Sequence, residues 1–306
     1  MAKATREAYG EELSELVVKN DKIVVLDADL AGSTKSAMAQ KVCPERFFDM
    51  GIAEADMIGT SAGLAASGYI PFASTFAMFA TGRAWDQIRN SVGYPHLNVK
   101  IVGSHSGIAV GEDGASHQAI EDIAIMRVIN GMSLFVPCDA NETKAVVDYI
   151  AEMKGPAYLR LGRSAVEDVY QDKNIDVTKV HVLREGKDTV LFACGLEVQE
   201  SLKAADLLKA EGIDAAVVDV CAVKPCDEDG IVELLKKYDQ IFTVEEHSVT
   251  GGMGSMICEV AAEKCPRVIH RIGMKSFGES GAAKVLLHAY KLDGEGIAEQ
   301  VKSIIK

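Results

Sequence analysis

The chain has 306 residues, enough for two domains with full cores, and its 48% hydrophobic and 25% charged residues are ordinary for a soluble globular fold. A net charge of -13 argues against non-specific binding to nucleic acid or anionic membrane, while leaving small anionic ligands open because a cleft can oppose the global sign. No apolar run approaches the roughly 20 residues of a membrane helix, the amino terminus lacks a signal-peptide core, and seven cysteines without a Cys-x-x-Cys pair read as reduced, mostly buried thiols of a cytoplasmic protein.

Apolar strand-like runs alternate with amphipathic helical runs, the pattern of βα units on parallel sheets. A first helix is expected over 5–20, with Tyr9, Leu13, Leu16 and Val17 on one face, followed by a strand over 23–26 that stops at Asp27-Ala-Asp29. Further strands are expected over 47–50, 70–73, 99–102, 133–136 and 157–160.

Between the strands expected over 47–50 and 70–73, Glu54 opens a helix made almost wholly of small and apolar residues. A carboxyl desolvated there can share a proton with a nitrogen base, which is acid–base chemistry. The alternative is an ordinary first-turn glutamate favoured by the helix dipole. Phe76 and Phe79, spaced i, i+3 at what reads as a helix start, are either core or an aromatic platform under a flat heterocycle.

The stretch Gly103-Ser-His-Ser-Gly-Ile-Ala-Val-Gly-Glu-Asp-Gly-Ala-Ser-His-Gln118 then leads from a strand towards an amphipathic run over 119–126. Open α/β sheets present ligand-binding groups at such strand ends. His105, Asp113 and His117 can move or hold protons near neutral pH, and glycines let the backbone approach a ligand closely. A mere connection is seldom so long and so rich in titrating groups.

Asp139-x-x-Glu142 reads as a capping box opening a helix to Ala151. After Arg163 the pattern fails, and 171–187 reads as a linker. A second unit then runs strand 189–194, helix 197–211, strand 215–219, helix 228–238, strand 240–245, helix 253–264, strand 268–272 and two closing helices. The expected architecture is α/β: two doubly wound, mainly parallel-sheet domains over 1–170 and 188–306.

In order and wording, four segments resemble the transketolase family. Gly-Ile-Ala-Glu (51–54) is similar to its cofactor-activating glutamate, Ser-Thr-Phe (74–76) with Phe79 to its pyrimidine pocket, and Gly-Glu-Asp-Gly-Ala-Ser-His-Gln (111–118) to its active-site loop. Gly273-Met-Lys-Ser-Phe-Gly-Glu-Ser-Gly281 matches a further family stretch. The resemblance covers the whole chain but only the carboxyl-terminal half of a full-length transketolase, its pyrimidine-binding and terminal domains.

The resemblance implies thiamine diphosphate as cofactor and transfer of a two-carbon ketol unit between sugar phosphates. It implies that Glu54 bonds the aminopyrimidine nitrogen, favouring the imino form, while Phe79 stacks on the ring and Phe76 lines the pocket. By the same matching His105, Asp113 and His117 face the sugar, Arg6, Ser33 and Arg163 hold its phosphate, and Asp29 lies near the cofactor. Without the resemblance, Arg6 and Arg163 read as ordinary surface or linker arginines.

The chain contains no Gly-Asp-Gly, the family's diphosphate and divalent-metal motif. That implies a split enzyme: magnesium is held mainly by an N-terminal partner subunit, the assembly is a heterotetramer, and Met1 is a genuine gene start. A large apolar pairing surface is expected around 59–66, where small residues let helices approach closely; the alternative for that stretch is simple close packing inside one domain. Three departures from the family pattern leave donor and acceptor sugars open: Ala53-Glu54-Ala55 in place of Arg-Glu-His, Ser106 where an acid is frequent, and Gly82 where an aromatic is frequent. Alternatives are a deoxyxylulose-phosphate synthase-like or 2-oxoacid dehydrogenase β-like subunit, or a non-catalytic assembly partner.

Overall fold

A computed structural model of the chain, which describes residues 2–305, is mixed α/β with two mainly parallel sheets. The first has seven strands in the order Ala222–Lys224, Ser133–Phe135, Ala157–Arg160, Lys100–Ser104, Ile70–Phe76, Ile23–Asp27, Phe47–Asp49, and only its first neighbouring pair is antiparallel. Ile23–Asp27 is buried at every position, as suits an interior parallel strand covered on both faces. The second sheet has five strands, Ile269–Met274, Ile241–Ser248, Thr189–Ala193, Ala215–Asp219 and His181–Arg184, the last antiparallel.

Three departures from the sequence reading bear on the site and on how the two halves join. His181–Arg184, inside the stretch expected as a linker, forms an edge strand. Ala222–Lys224 leaves the second half of the chain to pair with Ser133–Phe135 of the first sheet. The helix expected over 119–126 is Asp122–Arg127, because Ala119 is taken up in closing the loop: it bridges Ser106, and its carbonyl accepts from Gly107 N at 2.8 Å.

The expected capping box forms in a shifted version, its return bond falling one residue before the cap. Asp139 accepts from Glu142 N at 2.7 Å at the start of helix Ala140–Glu152, and Glu142 Oε2 reaches back to Cys138 N at 2.7 Å. The other Asp139 oxygen accepts from Val169 N and Tyr170 N, so the cap also ties down the chain beyond the first sheet. Glu142 lies with Cys138 and Asp219 in a fully buried cluster where the two halves of the chain meet. One hydrophobic cluster likewise joins both sheets, running from Leu26 and Met57 to Phe192 and Ile257.

All seven cysteines are free thiols, five of them buried. No helix among the described residues is long and apolar enough to cross a membrane.

Candidate active site

Parallel strands deliver their carboxyl ends to one edge of the first sheet, and the residues singled out above gather there. Phe76 is the last residue of its strand rather than the start of a helix, and Phe79 lies in the helix Ala77–Arg83 that follows. Their rings are near-parallel, 5.7 Å apart at 17°. His105, one residue beyond Lys100–Ser104, stacks on Phe76 at 3.9 Å and 23°. The half-buried His117 sets its edge against Phe79 at 5.2 Å and against Phe76 at 6.4 Å.

Glu54 is the first residue of helix Glu54–Ala66, 4% exposed, and its Oε1 accepts from Arg83 Nη1 at 2.8 Å. The Arg83 guanidinium lies 4.0 Å from the Phe79 ring centroid, so carboxylate and aromatic rings share one pocket.

His105 is buried in a left-handed backbone conformation at φ 55°, its Nδ1 3.0 Å from Ser104 Oγ. Burial, followed by the positive charges of Arg6 and Arg163, with His117 and Lys35 adding to them, pushes its imidazole down to about 3. It is therefore neutral at physiological pH. The same electrostatic neighbourhood gives an acidic chain a local cationic patch. Arg6 Nη1 donates to the Ser33 carbonyl at 2.6 Å, and desolvation by burial lowers its pKa. Its Nε is buried without a partner among the described residues. Arg163 donates to Val110 O and, at 3.1 Å, to Glu112 Oε2.

Two of the singled-out residues are exposed. Asp113 is exposed on the loop rim. Asp29 is exposed at φ 62°, its backbone N–H given to Asp49 Oδ1 at 3.1 Å, with no side-chain bond to the aromatic pocket among the described residues.

The loop carrying both histidines is clamped by the second half of the chain. Gln118 Nε2 donates to Glu279 O at 2.9 Å, Ser280 Oγ donates to Glu112 O at 2.5 Å, and the buried Glu246 Oε2 accepts from Ala109 N at 3.1 Å. Gly107, at φ 73°, leaves room for that carboxyl: a Cβ there would stand 2.2 Å from Glu246 Cδ. At Gly278 a Cβ would stand 2.2 Å from Gln118 Oε1.

Sequence reasoning missed Arg83, Lys35, Ser104 and Glu246. Arg83 had a signal: it follows Phe79 by four residues, the helical spacing that sets one side chain over another.

The donor set fits an aminated flat heterocycle, which needs a buried carboxylate at its edge and an aromatic face beneath it. Comparison with known proteins agrees. Residues 1–168 match the family description "Transketolase, pyrimidine binding domain" and residues 178–297 "Transketolase, C-terminal domain". The chain is similar to a putative transketolase C-terminal section of Methanocaldococcus jannaschii, 49% identical over 310 residues, 99% of this chain and 97% of that protein. A 6-deoxy-6-sulfo-D-fructose transketolase subunit of Clostridium sp. (strain MSTE9) is 39% identical over 301 residues, 98% of this chain and 94% of that one. Transketolase-like protein 1 of Macaca fascicularis is 38% identical over 308 residues, 99% of this chain but 51% of its own length. Among solved structures, a split-gene transketolase in the form of an inactive β4 tetramer superposes with a TM-score of 0.90 at 47% identity, covering 100% of this chain and 99% of that one. With both domain descriptions matched and close relatives aligned end to end, this chain belongs to the transketolase family, a thiamine-diphosphate-dependent family of which it carries the pyrimidine-binding and C-terminal domains.

Proposed function

We propose that this chain is the carboxyl-terminal subunit of a split transketolase, which moves a two-carbon ketol unit from a ketose phosphate to an aldose phosphate once joined to an N-terminal partner subunit. The observation that carries the reading is the convergence of buried Glu54, the Phe76–Phe79 platform, His105 and His117 at one sheet edge beside Arg6 and Arg163.

Thiamine diphosphate, when bound, supplies the nucleophilic ring carbon and electron sink on which ketol transfer depends. Glu54 would share a proton with the pyrimidine nitrogen, and the phenylalanine rings would fix the ring plane. His105, neutral and with Nδ1 engaged by Ser104, has Nε2 left to bond or relay a proton at a sugar hydroxyl. His117 would do the same from the other wall, and Asp113 would read the C2 hydroxyl from the rim. Arg6 and Arg163, with Ser33, whose carbonyl accepts from Arg6, would hold the anionic end of the sugar. Asp29 would line the cofactor's approach.

The chain has no Gly-Asp-Gly, so magnesium and the diphosphate fall to the partner. The inactive β4 tetramer of the related split enzyme supports that dependence, and supports a heterotetramer here. Gly59 and Gly63 support the pairing face: an added Cβ at either meets nothing within 4 Å. Seven free thiols support a reducing compartment such as the cytoplasm.

The test is an assay of this chain with and without the N-terminal subunit, given thiamine diphosphate, magnesium, xylulose 5-phosphate and ribose 5-phosphate. Activity only in the mixture is expected. Activity of the chain alone would refute the split site. A complex that binds cofactor yet turns over only a sulfonated ketose, as the name of the Clostridium relative would suggest, would move the reading to another donor.

A further inference from the structure

Arg83 has no place in the cofactor reading, yet it occupies the two contacts that reading assigns to the pyrimidine. Its guanidinium donates to Glu54 Oε1 at 2.8 Å and lies 4.0 Å from the Phe79 centroid. Among the described residues, Glu54 has no other hydrogen-bond partner for its carboxylate, and the guanidinium has no other acceptor. A guanidinium and an aminopyrimidine are alike in what such a pocket senses: both are planar, both stack on an aromatic face, and both can give the carboxylate an N–H, the pyrimidine through its ring nitrogen when that is protonated.

From this overlap, and resting on the site reading above, we infer that Arg83 is an internal stand-in for the pyrimidine, seated on Glu54 and Phe79 until the cofactor displaces it. A buried carboxylate left without a partner is costly, so a protein that must keep Glu54 buried gains from a substitute donor. Displacement is feasible because the Arg83 side chain is 50% exposed, against 5% for that of Glu54. The side chain starts in the last turn of its helix and can swing into solvent without unravelling a strand. Competition of this kind lowers cofactor affinity and slows loading.

The experiment is calorimetric titration of thiamine diphosphate, with magnesium, into the assembled two-subunit enzyme and its variants. Arg83→Ala and Arg83→Met are expected to tighten binding about tenfold, the sum of a half-exposed ion pair and a cation–π contact. The gain should shrink as salt screens the pair in the parent enzyme. Unchanged or weaker binding in both variants would overturn the inference, because Arg83 would then be a fixed wall or a cofactor ligand. Glu54→Ala separates the two levels. If it weakens binding while the Arg83 variants fail to tighten it, the stand-in alone is wrong. If it leaves binding untouched, the pyrimidine does not sit on Glu54, and site reading and stand-in fall together.

Discussion

The imidazole of His105 stacks on the ring of Phe76 at 3.9 Å, held there by a strand end on one side and a left-handed backbone turn on the other. Stacked, buried and surrounded by cationic groups, it stays uncharged where an ordinary histidine would titrate. Nuclear magnetic resonance of the chain between pH 5 and 8 should find His105 constant at neutral-imidazole shifts. His288, exposed and raised by its bond to Asp293, serves as the titrating control. A His105 midpoint near 6 would refute the assignment.

Arg6→Met removes the larger of the two arginine contributions that depress His105 and one anchor for an anionic sugar end. The KM for a phosphorylated acceptor should rise about tenfold or more, with a much smaller effect on an unphosphorylated one. Equal losses on both substrates would place Arg6 outside the anion site.

Glu54→Ala in the assembled enzyme should cut kcat at least about a hundredfold at saturating cofactor, the usual scale for a lost proton-sharing group. Near-parent turnover at limiting cofactor would show that another group does this work.

Gly107→Ala should destabilise the chain by about 2–4 kcal/mol, since the new Cβ meets Glu246 while the backbone holds φ 73°. Adding Glu246→Ala should recover the steric part, leaving the backbone strain. Thermal or urea denaturation of the single and double variants reads this directly, and simple additivity would contradict the clamp.

Burial raises the Glu246 carboxyl to about 7, with Arg160 and the Ala109 N–H opposing the shift. A carboxyl whose folded pKa lies above its unfolded one stabilises the fold while protonated. Its contribution, on the order of 3 kcal/mol, is present below the unfolded value near pH 4.5 and is lost as pH rises through about 7. Glu246→Gln should flatten that decline between pH 5 and 8, which urea unfolding at stepped pH would detect.

Alternation of strand and helix made most of this architecture legible, because most of the parallel strands are apolar runs that stand out between amphipathic segments. Glu54, Phe76, Phe79, His105 and His117 were legible for the same reason: each follows a readable strand, and parallel strands bring their ends together. Ala222–Lys224 was not. It follows closely on Ala215–Asp219, and its antiparallel partner Ser133–Phe135 lies far away in the chain, so nothing local announces the pairing. Glu246 was hidden likewise, 137 residues from the Ala109 amide it accepts from. Asp113 and Asp29 were singled out by local wording alone, and both side chains are exposed.

The antiparallel ribbon that Ala222–Lys224 adds to Ser133–Phe135 limits where such a gene could be divided. A break between these two domains would strip a strand from one product, leaving a naked sheet margin prone to self-association, and would orphan the same strand in the other. It would also bisect the buried Cys138, Glu142 and Asp219 cluster. A cut upstream of the pyrimidine-binding domain harms neither. In an enzyme shared between two polypeptides, these two domains should therefore be inherited, expressed and folded as one indivisible piece.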